Sequence, residues 1–551
     1  MNKFKSLIPK KIILILTVLS FYKSSQGQVH MEWIARYNDS NTVNYRESAM
    51  VTDADGNVYV TGEFGTTNGT ENYVTLKYNS YGLLLWRSIY NGPANDFDYP
   101  LSITTDNKKN VYVTGYSFSI GFDYATVKYN SNGTEQWAAR YKGPVFQDYA
   151  TVVKTDNFNN VYVTGYSHGV NSDYDYLTIK YNESGIEQWV RRYNGTGNGY
   201  DKATAMVIDD SGNVIVTGYS SGIGISNYYD FATIKYSPNG DIRWVERYNS
   251  SSNFLARAYA IVVDRNGNVY VTGESDSIYQ DYTTVKYNNN GTLQWVARYD
   301  GPDSVIEIDS DIAYAIALDS AGNILVTGSC SYDFVTVKYD SNGIQHWVGR
   351  YKGLDSTYDE AFALAADKFN NVYVTGYTTG GPGAFADYTT IKYDMNGIMK
   401  WVQVYNSGGG DDIARSIGLD TSGNVYISGS VNNGDVHKIA TIKYSQVSNI
   451  QNTSSEVSNE YRLLQNYPNP FNPLTNFNFS IPKQSMIWLT VFDVSGRTVS
   501  VLYNGSLNAG SYTIAWYAAD FPSGIYFYKL ISMNSLYSEI FSETKKMLLI
   551  K

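Results

Sequence analysis

The sequence predicts an all-β protein, a long array of repeated four-stranded units followed by one smaller β domain. Three observations predict it. Three short sequence ladders each recur eight times between residues 31 and 445. The recurring segments are short, rich in Val, Tyr and Thr, and bounded by Gly, Asn and Asp, as strands joined by tight turns are. No stretch sustains a helical period.

Composition sets the limits. The chain has 551 residues, too many for one small domain. It holds 53 Tyr against 21 Phe and 10 Trp, which favours half-buried strands where the ring packs and the hydroxyl reaches water. With 43% hydrophobic residues the chain is not compositionally disordered, and its 47 Gly follow no three-residue period, which excludes collagen. A formal charge of −10 argues against a nucleic-acid partner. The single Cys330 excludes an intramolecular disulfide and any zinc site built on several Cys.

The first element is a leader. Lys3, Lys5, Lys10 and Lys11 precede the apolar run 12–21, and Ser25-Gln26-Gly27 supplies small residues for cleavage before Gln28. This three-part pattern predicts a signal peptide over residues 1–27. Its removal takes five Lys and no acid, so the formal charge falls from −10 to −15. The apolar run is short for a membrane span and no later segment reaches that length, so no membrane span is expected in the mature form.

The array, residues 28–445, follows. Val-Tyr-Val-Thr-Gly recurs with variation, closing at Gly62, Gly115, Gly165, Gly218, Gly273, Gly328, Gly376 and Gly429, at spacings of 48 to 55 residues. The second ladder is Trp33, Trp86, Trp137, Trp189, Trp244, Trp295, Trp347 and Trp401. The third, Thr-x-Lys-Tyr, ends at Tyr78, Tyr129, Tyr181, Tyr236, Tyr287, Tyr339, Tyr393 and Tyr444. Each repeat of about 52 residues therefore reads as four strands: a small-residue strand, the Val-Tyr-Val-Thr-Gly strand, the Thr-x-Lys-Tyr strand and the Trp strand. Every small-residue strand ends in an Asp with an Asn four residues on, as in Asp53 and Asn57, a short-hairpin signature. Four antiparallel strands at this period predict an eight-bladed β-propeller, with seven blades as the alternative if one copy lies outside the ring. The small-residue strand suits the crowded channel wall, which puts the Trp strand at the outer edge. Trp33 would then complete the last blade and join the two ends of the array.

Asp319-Ser-Ala-Gly-Asn-Ile-Leu-Val-Thr-Gly328, Asp333-Phe-Val-Thr-Val-Lys338 and Gly343-Ile-Gln-His-Trp347 carry a resemblance to the SBBP (seven-bladed β-propeller) repeat family, over roughly residues 31–445. The resemblance implies the fold and names no activity.

Residues 446–460, rich in Ser, Asn and Thr, read as a linker. Beyond them the repeat text stops, and alternating strands with turns at Gly496, Gly505 and Gly510 predict a small β-sandwich over residues 461–551. Tyr467-Pro-Asn-Pro-Phe-Asn-Pro473, Asp493-Val-Ser-Gly-Arg497, Leu507-Asn-Ala-Gly-Ser-Tyr512, Pro522-Ser-Gly-Ile-Tyr526 and the terminal Thr544-Lys-Lys-Met-Leu-Leu-Ile-Lys551 occur in order. This segment resembles the C-terminal sorting domain of type IX secretion cargo. The resemblance implies handling by that secretion machinery in a Bacteroidota-like bacterium, delivery to the medium or the outer cell surface, and a sorting motif that includes Pro468, Asn469, Pro470, Phe471, Gly496, Arg497, Gly524, Lys545 and Lys546.

Candidate binding residues sit on the array's more loop-rich end, where chain enters the small-residue strand and leaves the Val-Thr-Gly strand. Asp98, Asp148, Asp201, Asp311, Asp359 and Asp412 precede each turn Asp by eight residues, with Tyr45 and Ala256 interrupting. Asp123, Asp175, Asp230, Asp281, Asp333 and Asp387 start the third strand. These Asp form either an acidic mouth or loop clamps that accept backbone N–H groups, and their regular repetition favours the clamp. Six Trp strands carry Arg three residues after Trp, from Arg36 to Arg350, placed to form exposed and weak pairs with those Asp. The Lys of Thr-x-Lys-Tyr read as partnered or solvated strand lysines. Asp53-Ala-Asp-Gly56 lacks the bidentate Glu of a calcium loop, His30, His168, His346 and His437 are scattered, and no phosphate or dinucleotide loop occurs, so no metal or cofactor is expected. His346 falls at an exposed strand position, and Cys330, in a Ser slot, reads as a small filler. Asp300–Asp311 is the most irregular stretch and reads as an acidic solvated loop.

Thirty-one of the 53 Tyr fall at five repeat positions, so the enrichment reports blade architecture. Functional tyrosines are then expected among loop residues such as Tyr228, Tyr229 and Tyr279. Uniform blades with Tyr-lined loops favour a secreted or surface propeller that binds glycan or protein without catalysis. A propeller glycoside hydrolase or lyase using off-repeat carboxylates, and a passive structural surface protein, are the alternatives.

Overall fold

The computed structural model describes residues 29–37, 45–66, 69–145, 147–222, 228–249, 255–276, 280–301, 311–353, 358–380, 384–432, 434, 437–446, 451–454, 459–518, 521–533 and 539–551. The expected signal peptide, Tyr279 and most of Asp300–Asp311 fall outside them. Among the described residues all regular structure is β, in ten four-stranded sheets. Eight lie in the array, with first strands starting at Tyr45, Asp98, Asp148, Asp201, Ala256, Ile312, Asp359 and Ile413, and are numbered 1–8 in that order.

Sheet 2 shows the pattern. Asp98–Thr105, Val111–Phe118, Phe122–Tyr129 and Glu135–Tyr141 pair antiparallel in chain order. The turn Asp closes the first hairpin. Asn110 donates its backbone N–H to Asp106 Oδ1 at 2.9 Å and its amide to Oδ2 at 2.7 Å. The residue before that Asn has positive φ in all eight sheets, at Gly56, Lys109, Asn159, Gly212, Gly267, Gly322, Asn370 and Gly423. In the hairpin before each Trp strand a glycine has positive φ, and the space over it is taken: a Cβ at Gly133 would meet Trp86 Cδ2 at 2.6 Å. The indole donates Trp86 Nε1–H to Ser131 O in the next sheet at 3.0 Å.

The core lies between neighbouring sheets. Tyr124 in the third strand of sheet 2 donates its hydroxyl to Leu177 O of sheet 3 at 3.1 Å. Its ring tip fits because sheet 3 carries Gly165, where a Cβ would meet Tyr149 O at 2.0 Å and the Tyr124 hydroxyl at 2.8 Å. Lys128 does the same job on the other side, donating to Glu183 O at 3.0 Å. The lysines of Thr-x-Lys-Tyr are therefore bonded into the sheet junctions, with buried stems.

Sheet 8 consists of Ile413–Leu419, Val425–Asn432, His437–Gln446 and, at its edge, Val29–Tyr37 from the start of the array. Arg36 pairs with Ala440 and Tyr37 with Ile439. Sheet 8 also packs on sheet 1. Thr52 Oγ1 donates to Leu419 O at 3.3 Å, and Thr421 Oγ1 to Ala54 O at 3.3 Å.

Two further sheets follow. One pairs Gln451–Ser454, Gly510–Tyr517, Leu474–Ile481 and Arg462–Leu463, and the other pairs Thr498–Leu507, Ser485–Phe492, Gly524–Met533 and Glu539–Leu549. Leu474–Ile481 alternates buried and less buried residues, and Phe477, Leu489, Trp516 and Tyr528 fill the space between the sheets. Gln451–Ser454, inside the segment expected as linker, pairs with Gly510–Tyr517.

The sorting-motif residues lie in this unit. Phe471 is buried against Trp516, with centroids 5.7 Å apart, and its backbone N–H reaches Leu548 O at 3.0 Å. Asn469 Oδ1 accepts Leu548 N–H at 2.9 Å, and Lys546 O accepts Gln465 Nε2–H at 2.8 Å. The first motif is thus sewn to the terminal strand that carries Lys545 and Lys546. Pro468 O accepts Thr475 Oγ1–H at 2.8 Å, Gly496 has positive φ in the turn from Asp493 to an exposed Arg497, and Gly524 starts a strand.

Candidate functional site

The six Asp of the first ladder are clamps. Each is at most 2% exposed. Asp98 Oδ2 accepts Gly92 N–H at 2.7 Å, Asp148 Oδ2 accepts Gly143 N–H at 2.6 Å, and Asp359 Oδ2 accepts Gly353 N–H at 2.8 Å. Asp201 takes Gly195 N–H and, through Oδ1, Ser221 N–H at 3.0 Å. Asp311 binds Gly301 and Ser331 N–H groups at 3.1 Å each, and Asp412 binds Ser407 and Asn432. Asp201, Asp311, Asp359 and Asp412 tie the incoming loop to the end of the second strand, Asp98 and Asp148 hold the loop N–H alone, and none of the six faces solvent. Burial pushes Asp98, Asp148 and Asp201 up from the usual carboxylate range, against the pull of these bonds.

Four of the six Arg of the Trp strands pair closely with a buried Asp of the third strand, while Arg298 stands 3.9 Å from Asp281 and Arg36 donates to the Tyr405 hydroxyl. Arg140 Nη2 lies 2.8 Å from Asp123 Oδ2 and donates to Ser117 O at 3.0 Å, with Asp123 only 4% exposed. Arg192 meets Asp175 at 2.8 Å, Arg247 meets Asp230 at 2.7 Å and Arg350 meets Asp333 at 2.6 Å. Sequence spacing placed these charges correctly and misjudged their burial: the Asp side chains are 2–12% exposed and the Arg side chains 19–28%. Cys330 is a buried filler whose thiol burial and Asp311 together push well up. His346 is exposed.

The repeat breaks at one pair of positions. The residue that follows the position of the first Asp ladder faces, in register, the residue after the repeated Gly. The pairs are Arg46/Glu63, Tyr99/Tyr116, Tyr149/Tyr166, Lys202/Tyr219, Arg257/Glu274, Ile312/Ser329, Glu360/Tyr377 and Ile413/Ser430 in sheets 1–8. In sheets 2–4 these residues build a continuous aromatic arc at the loop-rich end. Ring centroids run Tyr99–Tyr116 5.1 Å, Tyr116–Tyr149 4.9 Å, Tyr149–Tyr166 5.0 Å, Tyr166–Tyr200 6.0 Å, Tyr200–Tyr219 6.1 Å and Tyr219–Tyr229 5.1 Å. Phe122 and Tyr174 brace it at 5.1 Å from Tyr116 and 5.3 Å from Tyr166. Every ring of the arc is half-buried, so each keeps a face or edge for solvent or ligand.

Of the loop tyrosines singled out by sequence, Tyr229 belongs to the arc, while Tyr228 is half-buried and joins no ring pair among the described residues. Tyr116, Tyr166 and Tyr219 stand at a repeat position that sequence reasoning gave to architecture. Tyr99, Tyr149 and Tyr200 were missed. The available signal was the departure of two cross-strand positions from the repeat, visible only once the strands are in register.

The arc ends in charge on both sides. Tyr99 donates its hydroxyl to Glu71 Oε2 at 3.3 Å. Neighbouring Glu63 is pushed up by burial and pulled down by Arg46. At the other end Lys202 Nζ lies 5.0 Å from the Tyr166 centroid and Arg257 Cζ 5.5 Å from that of Tyr219. The first strands also carry a one-residue bulge. Its extra residues in sheets 5–8, Tyr259, Tyr314, Phe362 and Arg415, form a second chain: 5.9 Å, 5.4 Å and, for the Arg over the Phe ring, 5.3 Å. At the opposite end a cavity of about 690 Å³ is lined by Asp53, Asp367 and Asp420, whose carboxylates are already bonded to their turn Asn residues. No group of His, Cys, Asp and Glu among the described residues is arranged to hold a metal ion, and no helix there is long and apolar enough to cross a membrane.

Comparison with known proteins agrees with this architecture. Residues 256–280 and 350–383 match the family described as β-propeller repeat. Residues 465–541 match the secretion system C-terminal sorting domain, so the chain is handled by type IX secretion and exported to the cell surface or the medium. An uncharacterised WD repeat-containing protein of Acanthamoeba polyphaga mimivirus is 24% identical over 413 residues, covering 66% of this chain. The chain spans only 26% of that relative's length. Among solved structures, Sqt1 from Chaetomium thermophilum has a TM-score of 0.46 at 11% identity, covering 74% of this chain and 98% of its own. The β-propeller domain of the trilobed protease from Pyrococcus furiosus has a TM-score of 0.39 at 7% identity, covering 65% and 97%.

Proposed function

We propose that the eight sheets are the blades of a closed eight-bladed propeller, and that the exported protein binds a glycan along the aromatic arc without chemically altering it. The contacts of sheet 8 with sheet 1 and the strand given by Val29–Tyr37 support closure. In this reading residues 1–27 are a removed signal peptide, 28–445 the propeller, 446–460 the connection and 461–551 the sorting domain.

The arc itself carries the binding reading. A sugar ring presents an axial C–H face and a rim of hydroxyls, and a row of half-exposed tyrosines answers with flat faces and phenol groups. The arc is asymmetric within a repetitive scaffold, which structural repetition does not require. The test is a glycan array probed with the full chain and with the double variant Tyr149→Ala, Tyr166→Ala. Binding that the double variant loses while keeping its melting temperature within a few degrees supports the reading. Binding unchanged in the variant refutes it.

A second reading, a glycoside hydrolase or lyase, is supported by Glu63 and Glu71 beside Tyr99, carboxylates outside the repeat pattern at the mouth. Turnover of a bound polysaccharide, lost in Glu63→Gln, would favour it over pure binding.

A further inference from the structure

Resting on the glycan reading of the arc, we propose that its sheet 4–5 end is an oxyanion subsite, and that the ligand is an acidic glycan whose carboxylate or sulfate ester sits between Lys202 and Arg257. Lys202 pairs across the sheet with Tyr219, and Arg257 covers the rings of Tyr219 and Tyr229 at 5.5 and 5.4 Å. Two cations from adjacent sheets thus border Tyr219, Lys202 opposite it in register and Arg257 on its ring. Among the described residues Lys202 has no ion-pair partner, only the face of Tyr166 at 5.0 Å. Arg257 reaches Glu274 at 3.4 Å, but Glu274 also takes the Tyr259 hydroxyl at 2.7 Å, and Arg257 Nε is a buried donor with no acceptor.

That arrangement is costly when empty. A buried donor without an acceptor forfeits its hydration, and the like charges of Lys202 and Arg257 repel. Burial, and then Arg257, hold the Lys202 ammonium below the usual lysine range. An oxyanion seated between them would accept from the Lys202 ammonium and the partly exposed Arg257 guanidinium, neutralise the repulsion and exchange a weak cation–ring contact for charge-assisted hydrogen bonds. No other sheet offers the same pair of positions with cations in adjacent sheets. Arg46 of sheet 1 faces Glu63 much as Arg257 faces Glu274, but the pairs of the neighbouring sheets 2 and 8 carry no Lys or Arg, and neither do the remaining pairs. The arc therefore has polarity, with Glu63 and Glu71 at one end and two cations at the other.

The probes are two matched series: oligogalacturonate against its methyl ester, and sulfated carrageenan oligosaccharide against neutral agarose oligosaccharide. Calorimetric titration of the full chain at low and high salt reads the affinity. An acidic member should bind at least about tenfold tighter than its neutral match, with the advantage lost at high salt, lost in Lys202→Gln and restored in Lys202→Arg. Which series shows it separates carboxylate from sulfate. Equal affinity for acidic and neutral members, or full acidic affinity in Lys202→Gln, overturns the subsite. If neutral members bind and Tyr149→Ala abolishes that binding without any acidic preference, only the subsite fails. If no member of either series binds, the glycan reading fails with it.

Discussion

Glu47 is the one carboxylate at its position among the first strands of the eight sheets. The corresponding residues of sheets 2–8 are Pro100, Ala150, Ala203, Ala258, Ala313, Ala361 and Ala414. In five of these sheets a tyrosine hydroxyl from the preceding sheet arrives there, as Tyr73 does 2.9 Å from the Cβ position of Gly115, and Phe231 and Phe334 stand in place of that tyrosine before sheets 5 and 7. Before sheet 1 the tyrosine is replaced by Ile439, and Glu47 takes up the space. The side chain is 4% exposed, with Oε1 accepting Ser416 Oγ–H at 2.8 Å and Oε2 buried without a partner. Burial raises its pKa from 4.5 to about 7, against the hydrogen bond from Ser416 and the charge of Arg415. At roughly 1.4 kcal/mol per tenfold change in proton affinity, ionised Glu47 costs the fold about 3 kcal/mol. The folded pKa lies above the unfolded one, so the cost is absent below about pH 4.5, grows through the interval and is complete above about pH 7. Glu47→Gln removes the charge and keeps the acceptor for Ser416. Its melting temperature should equal that of the parent near about pH 4 and exceed it near about pH 8, by up to about 3 kcal/mol in denaturant titration. A stability difference that does not change with pH, or a variant weaker than the parent near about pH 8, would refute the assignment of a buried, protonated carboxyl at this seam.

Other expectations follow from the same geometry. Asp201→Ala leaves the Gly195 and Ser221 N–H groups without an acceptor and should cost about 1–3 kcal/mol in a thermal melt; an unshifted midpoint would show that the clamp is dispensable. Cys330, buried beside Asp311, should resist thiol reagents in the folded chain and react only on denaturation, and prompt labelling of the native protein would contradict that packing. Deleting residues 461–551 should keep the protein inside the cell envelope, measured by fractionation and blotting, because the motif strands joined through Leu548 and Phe471 are removed together.

The sequence by itself determined everything that repeats. Turn residues and strand text are local signals, and eight copies average away the noise in each. Hence the order of strands within a sheet, the Asp–Asn turns, the Trp strand at the edge and the sorting motifs were all legible. Legible too was the clamp role of Asp98 and its counterparts, since regular repetition favours a structural task. Tertiary structure alone decided what lies between sheets. The burial of the Arg140–Asp123 pair, the strand Gln451–Ser454 and the docking of Lys128 on Glu183 all depend on neighbours distant in sequence. The aromatic arc depends on them most. Tyr149 and Tyr166 are far apart in the text and face each other only through strand register, and Tyr116 reaches Tyr149 only because two sheets pack side by side. A repeat advertises its constant residues, while its site is made from the positions that vary, and those acquire a common location only in three dimensions.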